Sequence, residues 1–200
     1  MSGFVHPNIP RPYEVGALGA YSCSLKTGTM AAGLAGSAPI WSFRYTGSNL
    51  CLVTRVMIGV GDQTTAFAAT HYDFQLFFAR SFSASDTNGV AATLTGNNCK
   101  LRTSHGTTAV GDIRISDTAT ITAGTRTLDS QPIARQVGGT PATAGLQVNG
   151  SDDYLWDCKG TSDQPVIIAN NEGLVIQAVV PATGTWVAGI TVQWYEVVSV

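Results

Sequence analysis

A chain of 200 residues with a net charge of −2, 44% hydrophobic and 12% charged, has too much apolar content and too little net charge to stay disordered. It has no basic surplus to track a nucleic-acid backbone, and no apolar run reaches the roughly 18–20 residues of a membrane span. The start of the chain lacks the basic segment followed by an apolar stretch that marks a secretory signal.

The charged share is about half of the roughly 25% usual in soluble domains, and Lys26, Lys100 and Lys159 are the only lysines. A solitary soluble domain keeps more charge on its surface, so much of this surface is expected to be covered in an assembly.

In chain order, residues 1–39 read as an extended N-terminal arm. Pro7, Pro10 and Pro12 fall close together and force an extended course there. Gly16, Gly19, Gly28, Gly33 and Gly36 break up the remainder, with at most a helical turn at Met30-Ala31-Ala32. The domain proper, residues 40–200, is expected to begin at Ile40. Trp41, Phe43 and Tyr45 alternate with polar residues, and Gly47-Ser48-Asn49 turns the chain. Leu50–Val60 reads as a long strand. Thr70–Arg80 reads as another, with Tyr72, Phe74, Leu76 and Phe78 on one face and Phe77 implying cover on both. Ser81–Gly89 is a polar loop closed by Asn88-Gly89.

Further on, Asp112–Ser116 is a short alternating strand, and Thr118–Thr127 has bulk only at Ile121. Arg126–Val137 and Leu146–Val148 are strand-like, and Tyr154–Trp156 suits a sheet edge. Val166–Ile168 leads to two strands over 172–194 that read as a terminal hairpin. In it Leu174, Ile176, Ala178 and Val180 share one side, as do Trp186, Ala188, Ile190, Val192 and Trp194. The absence of sustained helical periodicity, with many short strands between Gly, Asn and Pro turns, predicts an all-β fold, a jelly-roll-like β-sandwich. Its first strand, Ile40–Tyr45, should pair with the terminal hairpin.

Chemistry is sparse. His71 lies two residues before Asp73, but no third ligand or nucleophile stands nearby. Asp152, Asp153 and Asp157 lack the spacing of a calcium loop. Gly59-Val60-Gly61 lacks the third glycine and the helix of a dinucleotide fingerprint, and nucleophile-elbow, zinc-peptidase and P-loop motifs are absent. Asn149-Gly150-Ser151 reads first as a turn. Cys23, Cys51, Cys99 and Cys158 are widely spaced. Buried reduced thiols are expected of them, with one disulfide as the alternative. No catalytic, cofactor-binding or metal-ligating residue is expected, and no cofactor.

Five blocks, Ile40–Thr46, Asp62–Ala69, Leu94–Ser104, Glu172–Ala178 and Pro181–Trp186, together resemble the small Gly/Thr-rich structural proteins of tailed-bacteriophage virions. The resemblance implies a non-enzymatic role in the virion. Within that class a capsid decoration or cement protein is favoured, on the capsid surface, with the major capsid protein as partner and a homotrimer as the self-associated form. Neither nucleic acid nor membrane is an expected partner. The alternative is a tail or receptor-binding β-domain that presents Ser81–Gly89 or Gly138–Gly145 to a host cell-surface ligand, although neither loop carries an aromatic anchor. A carbohydrate-active enzyme, which needs two carboxylates facing across a cleft, ranks last.

Overall fold

The structure is a computed structural model that describes residues 18–34, 38–62, 65–139, 153–158 and 164–198. The strands are β1 (Gly19–Lys26), β2 (Met30–Ala31), β3 (Ala38–Tyr45), β4 (Leu50–Asp62), β5 (His71–Arg80), β6 (Val90–Ala91), β7 (Val110–Ile115), β8 (Thr127–Leu128), β9 (Ala134–Gly139), β10 (Asp153–Asp157), β11 (Val166–Ile168), β12 (Glu172–Val179) and β13 (Thr185–Val197). No helix occurs among the described residues. All pairings are antiparallel and form two sheets. The first runs β1-β13-β4-β10, with β11 also on β4 and β2 on β13. The second runs β6-β7-β3-β12-β5-β8, with β9 also on β5.

The expected inward sets are buried: Leu174, Ile176, Ala178 and Val180 from β12 and its end, and Trp186, Ala188, Ile190, Val192 and Trp194 from β13. Their arrangement differs from a hairpin. β12 lies in the second sheet between β3 and β5, and β13 lies in the first between β1 and β4. The two strands do not pair; they face each other across the core. Five residues, 180–184, carry the chain between the layers. A two-residue turn would have kept the strands in one sheet, whereas this longer corner lets both apolar faces bury each other. Gly184 has φ +115, and a Cβ there would come within 2.8 Å of the Ala66 carbonyl oxygen, so the corner requires glycine.

Ile40–Tyr45 does pair with β12, Trp41 opposite Ile176 and Phe43 opposite Leu174. The domain, however, does not begin at Ile40. β1 pairs along its length with β13, Gly19 opposite Glu196 through Lys26 opposite Gly189, and β2 pairs with the start of β13. Residues 18–34 therefore belong to the sandwich and not to an arm, and Met30-Ala31 is a strand rather than a helical turn. The alternation of Tyr21, Cys23 and Leu25 with Ala20, Ser22 and Ser24 is the signal for it. Residues 1–17, to which the arm expectation is thereby confined, lie outside the described residues, as do Leu146–Val148 and Asn149–Ser151.

Aromatic rings bridge the layers. Trp194 stacks on Tyr21 at 5.4 Å and meets Phe43 of the second sheet edge-on at 5.4 Å, while Trp186 tilts against Phe74 at 6.0 Å. Both indoles are satisfied: Trp186 Nε1 donates to the Ala31 carbonyl at 3.0 Å, and Trp194 Nε1 donates to Thr108 Oγ1 at 3.3 Å. Truncation should therefore leave a cavity and an unpaired acceptor together. Trp186→Ala is expected to cost about 3–5 kcal/mol and Ile190→Ala about 2–5 kcal/mol, read as a lowered urea midpoint with an unchanged m-value.

Candidate interaction surface

The residues weighed for chemistry are not gathered into a site. His71 is exposed beside Thr70, while the Asp73 carboxylate accepts from Gln75 Nε2 at 2.6 Å and pairs with Arg135 at 3.5 Å. Asp157 pairs with Arg55 at 3.1 Å. Gly59 and Gly61 lie within β4, opposite Gly189 and Val187 of β13. Among the described residues no group of three His, Cys, Asp or Glu side chains is placed to hold a metal ion.

The two outer faces of the sandwich differ, and this difference is the informative geometry. On the second sheet, residues 81–87 and 121–128 form a flap over one end. Phe82 is fully buried against Ala79 and Val175, with Leu128 beside it. This explains why Ala79 is buried on the side away from the main core. Arg44 on β3 fastens the flap, donating to the carbonyls of Phe82 and Ser83 at 2.7 Å each and to Ser85 Oγ at 3.2 Å. Thr87 and Thr122 exchange backbone hydrogen bonds at 2.9 Å. Beneath them Asp86 and Arg126 pair at 2.8 Å with side chains 0% and 4% exposed. Asp86 Oδ1 also accepts from the Gly124 N–H at 2.8 Å. Burial lowers the Arg126 pKa, and Asp86 opposes that shift.

The Ser81–Gly89 loop, which the receptor-binding alternative would present to a host ligand, is thus committed to covering a sheet. Of Gly138–Gly145, residues 138 and 139 end β9, and the rest lie outside the described residues. At the edge of the flap a shallow open cleft is lined by Arg80, Ser81, Ser83, Thr125, Asn171 and Glu172. Its charges are already paired: Arg80 donates to Glu172 at 2.8 Å, approaches Asp129 at 3.4 Å and lies 3.6 Å from the Phe78 ring centre. The hydrogen bond to Glu172 raises its pKa further.

The outer face of the first sheet has no comparable flap among the described residues, although Leu52 at 7% exposed and the Asp157 side chain at 5% are buried within it. Directly opposed residues share a face, so the registers define it row by row. Ala20, Tyr195, Leu52 and Ile167 form one row. Ser22, Gln193, Arg55 and Asp157 form the next, and Ser24, Thr191, Met57 and Tyr154 the third. Lys26, Gly189 and Gly59 follow, then Val187 and Gly61. Its charges, among the described side chains, are Lys26 at the margin and the mutually neutralised Arg55–Asp157 pair. A Cβ added at Gly59 or at Gly189 would meet nothing within 4 Å. Two opposed glycines therefore make a low, open floor mid-sheet, flanked by Met57, Tyr154 and Thr191. In the sequence, Gly189 and Thr191 leave the second face of β13 thin, but its neighbours appear only once β13 is placed between β1 and β4.

At one end of the sandwich the loop before β7 closes on a buried carboxylate. Glu196 Oε1 accepts from Thr108 Oγ1 and from the Ala109 N–H, the latter at 2.8 Å. Tyr21 is buried there, and its hydroxyl proton faces two acceptors, the carbonyls of Gly106 at 3.1 Å and Leu18 at 3.2 Å. Burial, reinforced by Glu196, raises the Tyr21 pKa from 10.0 to about 12.

No family model matches this sequence, and no curated protein or solved structure matches it either.

Two predictions test the rigid parts of these surfaces. Arg126→Ala leaves Asp86 buried without its counter-charge and should cost about 3–5 kcal/mol, seen in thermal or urea unfolding. For Tyr21, the folded state holds its phenolic proton more tightly than the unfolded chain. Its contribution is therefore intact below pH 10 and is lost as pH rises from about 10 to about 12. Tyr21→Phe should flatten part of the alkaline fall in stability, measured as urea midpoints across that range.

Proposed function

We propose that this protein is a non-enzymatic structural component of a tailed-bacteriophage virion. It decorates and cements the capsid shell, and the outer face of its first sheet lies on the major capsid protein. The observation that carries the reading is that broad, low-relief, nearly uncharged face. Desolvating it costs little, because its ion pair is already internal and its centre is glycine. An interface of the stable kind buries on the order of 1,200–2,000 Å², which a broad sheet face supplies more readily than loops do.

The strand order supports a jelly-roll reading. Taking β1, β3, β4, β5, β9, β10, β12 and β13 as the eight principal strands, the sheets run β1-β13-β4-β10 and β3-β12-β5-β9, the double-sheet winding found in viral capsid and lectin domains. In this reading the protein assembles as a homotrimer. The receptor-binding alternative draws no support from Ser81–Gly89, since Arg44, Phe82 and the Asp86–Arg126 pair hold that segment against its own sheet.

The test is co-sedimentation of the purified protein with empty shells of the corresponding major capsid protein, alongside light-scattering mass in solution. Gly59→Arg and Gly189→Arg each place a long charged side chain where no internal atom objects. Stability should change by no more than about 0.5 kcal/mol, while shell binding is lost. A wild-type protein that stays monomeric and ignores the shells would remove the proposal. Normal binding by both variants would move the contact to another face.

A further inference from the structure

β1 is the edge strand of the first sheet, and a segment of the long connection between β6 and β7 is laid against it. The Ser22 N–H donates to the Cys99 carbonyl at 2.8 Å, and the Leu101 N–H donates to the Ala20 carbonyl at 3.0 Å. Tyr21 and Lys100 form an antiparallel bridge. Further along, the Ala20 N–H donates to His105 Nδ1 at 3.1 Å, and Tyr21 holds the Gly106 carbonyl. Cys99 therefore stands opposite Ser22, one residue from Cys23.

In a regular ladder Cys99 would point with Ser22, away from the core. Its backbone instead has φ +64, a conformation uncommon outside glycine and asparagine. Cys99 packs against the same core cluster that contains the 7%-exposed Cys23, its thiol lies 3.9 Å from the Thr93 carbonyl, and each thiol is near enough to shift the other's pKa. Facing Cα atoms of antiparallel neighbours lie about 4.5–5.5 Å apart, which brings this diagonal pair near the roughly 4.4–6.8 Å that a disulfide spans.

The other two cysteines are placed differently. Cys51, on β4, is completely buried, and burial raises its pKa far above the ordinary thiol value. Cys158 follows β10, its N–H donating to the Thr54 carbonyl of β4 at 2.9 Å. In the first sheet β13 and β4 separate β1 from β10, about 14 Å at the usual strand spacing, so Cys158 is out of reach of Cys23.

We infer that Cys23 and Cys99 form a redox-active thiol pair, which a small-molecule disulfide such as oxidised glutathione converts to an intramolecular disulfide that staples the β6–β7 connection to the edge strand. Cys99 is the attacking sulfur. It is the more exposed of the two, and the neighbouring Cys23 thiol lowers its pKa to about 7. The same proximity, together with burial, pushes Cys23 strongly up. The Cys99 thiolate attacks one glutathione sulfur, forming a mixed disulfide and releasing glutathione thiolate. The Cys23 sulfur then attacks the Cys99 sulfur, its proton passes to thiolate, and the second glutathione leaves. Two protein thiols and one glutathione disulfide become one protein disulfide and two glutathiones. This inference does not depend on the proposed capsid role.

The test treats the full-length protein with oxidised glutathione or with dithiothreitol and compares intact mass, non-reducing peptide maps and melting temperature. The expected product has lost two hydrogens, carries the Cys23–Cys99 crosslink in its peptide map and melts higher than the reduced form, with the gain reversed by dithiothreitol. Cys51→Ser should behave like wild type. Cys23→Ser should stop at the first step and accumulate one glutathione on Cys99. The inference is overturned if the wild type keeps both hydrogens, if the map shows a different pair, or if Cys99 of the wild type stays glutathionylated with Cys23 free.

Discussion

The crossing from β12 to β13 is the constraint on which the rest of the architecture depends. Two consecutive alternating strands are placed on opposite layers, so that their apolar faces meet across the core instead of lying side by side. The corner between them is held by neither strand. The Gly33 N–H donates to the Pro181 carbonyl at 2.8 Å, the Ala32 N–H to that of Gly184 at 3.2 Å, and the Val180 N–H to that of Leu34 at 3.2 Å. The segment that follows β1 thus ties the end of the chain's central fold, and the early strands are as much a part of the core as the late ones. Remove that tie and the two largest inward faces lose their fixed opposition.

Outside the core the layers have been treated unequally. The second sheet acquires a private cover whose cohesion is partly apolar, through Phe82, and partly ionic, through Asp86 and Arg126. Burying such a pair is costly unless its remaining atoms are satisfied, and the Gly124 N–H on Asp86 meets part of that need. The first sheet has glycine at the corresponding centre. A chain this poor in charge either covers a face or leaves it suited to a partner, and here both solutions occur on one molecule.

Much of this was legible in the residues. Period-two alternation identified which side chains of 172–194 point inward, located the edge strand at Tyr154–Trp156, and marked Phe77 as a place covered on both sides. What alternation cannot specify is the neighbour: it says which residues share a face, not which strand lies alongside, so a sheet-crossing corner reads like a hairpin. Gly19–Lys26 escaped notice because its inward residues, Tyr21, Cys23 and Leu25, sit among small polar ones and follow a proline-rich start. The flap was illegible for a different reason. Its hold depends on one phenylalanine and on an ion pair between residues forty positions apart, and a polar stretch gives no local sign of either. Cys23 and Cys99, 76 positions apart, are more remote still.

The placement of β12 and β13 also bears on how the molecule is made. Each is an interior strand of its sheet, with β12 between β3 and β5 and β13 between β1 and β4, and each is synthesised after both of its neighbours. Ser24 and Thr191, hydrogen-bonded across the first sheet, are 167 residues apart. On the ribosome, β1, β3, β4 and β5 must therefore wait with their inner edges unpaired, a state prone to sticking edge to edge. Both sheets are completed by the same late stretch of chain, so neither layer can mature ahead of the other, and folding is deferred to one slow, long-range closure.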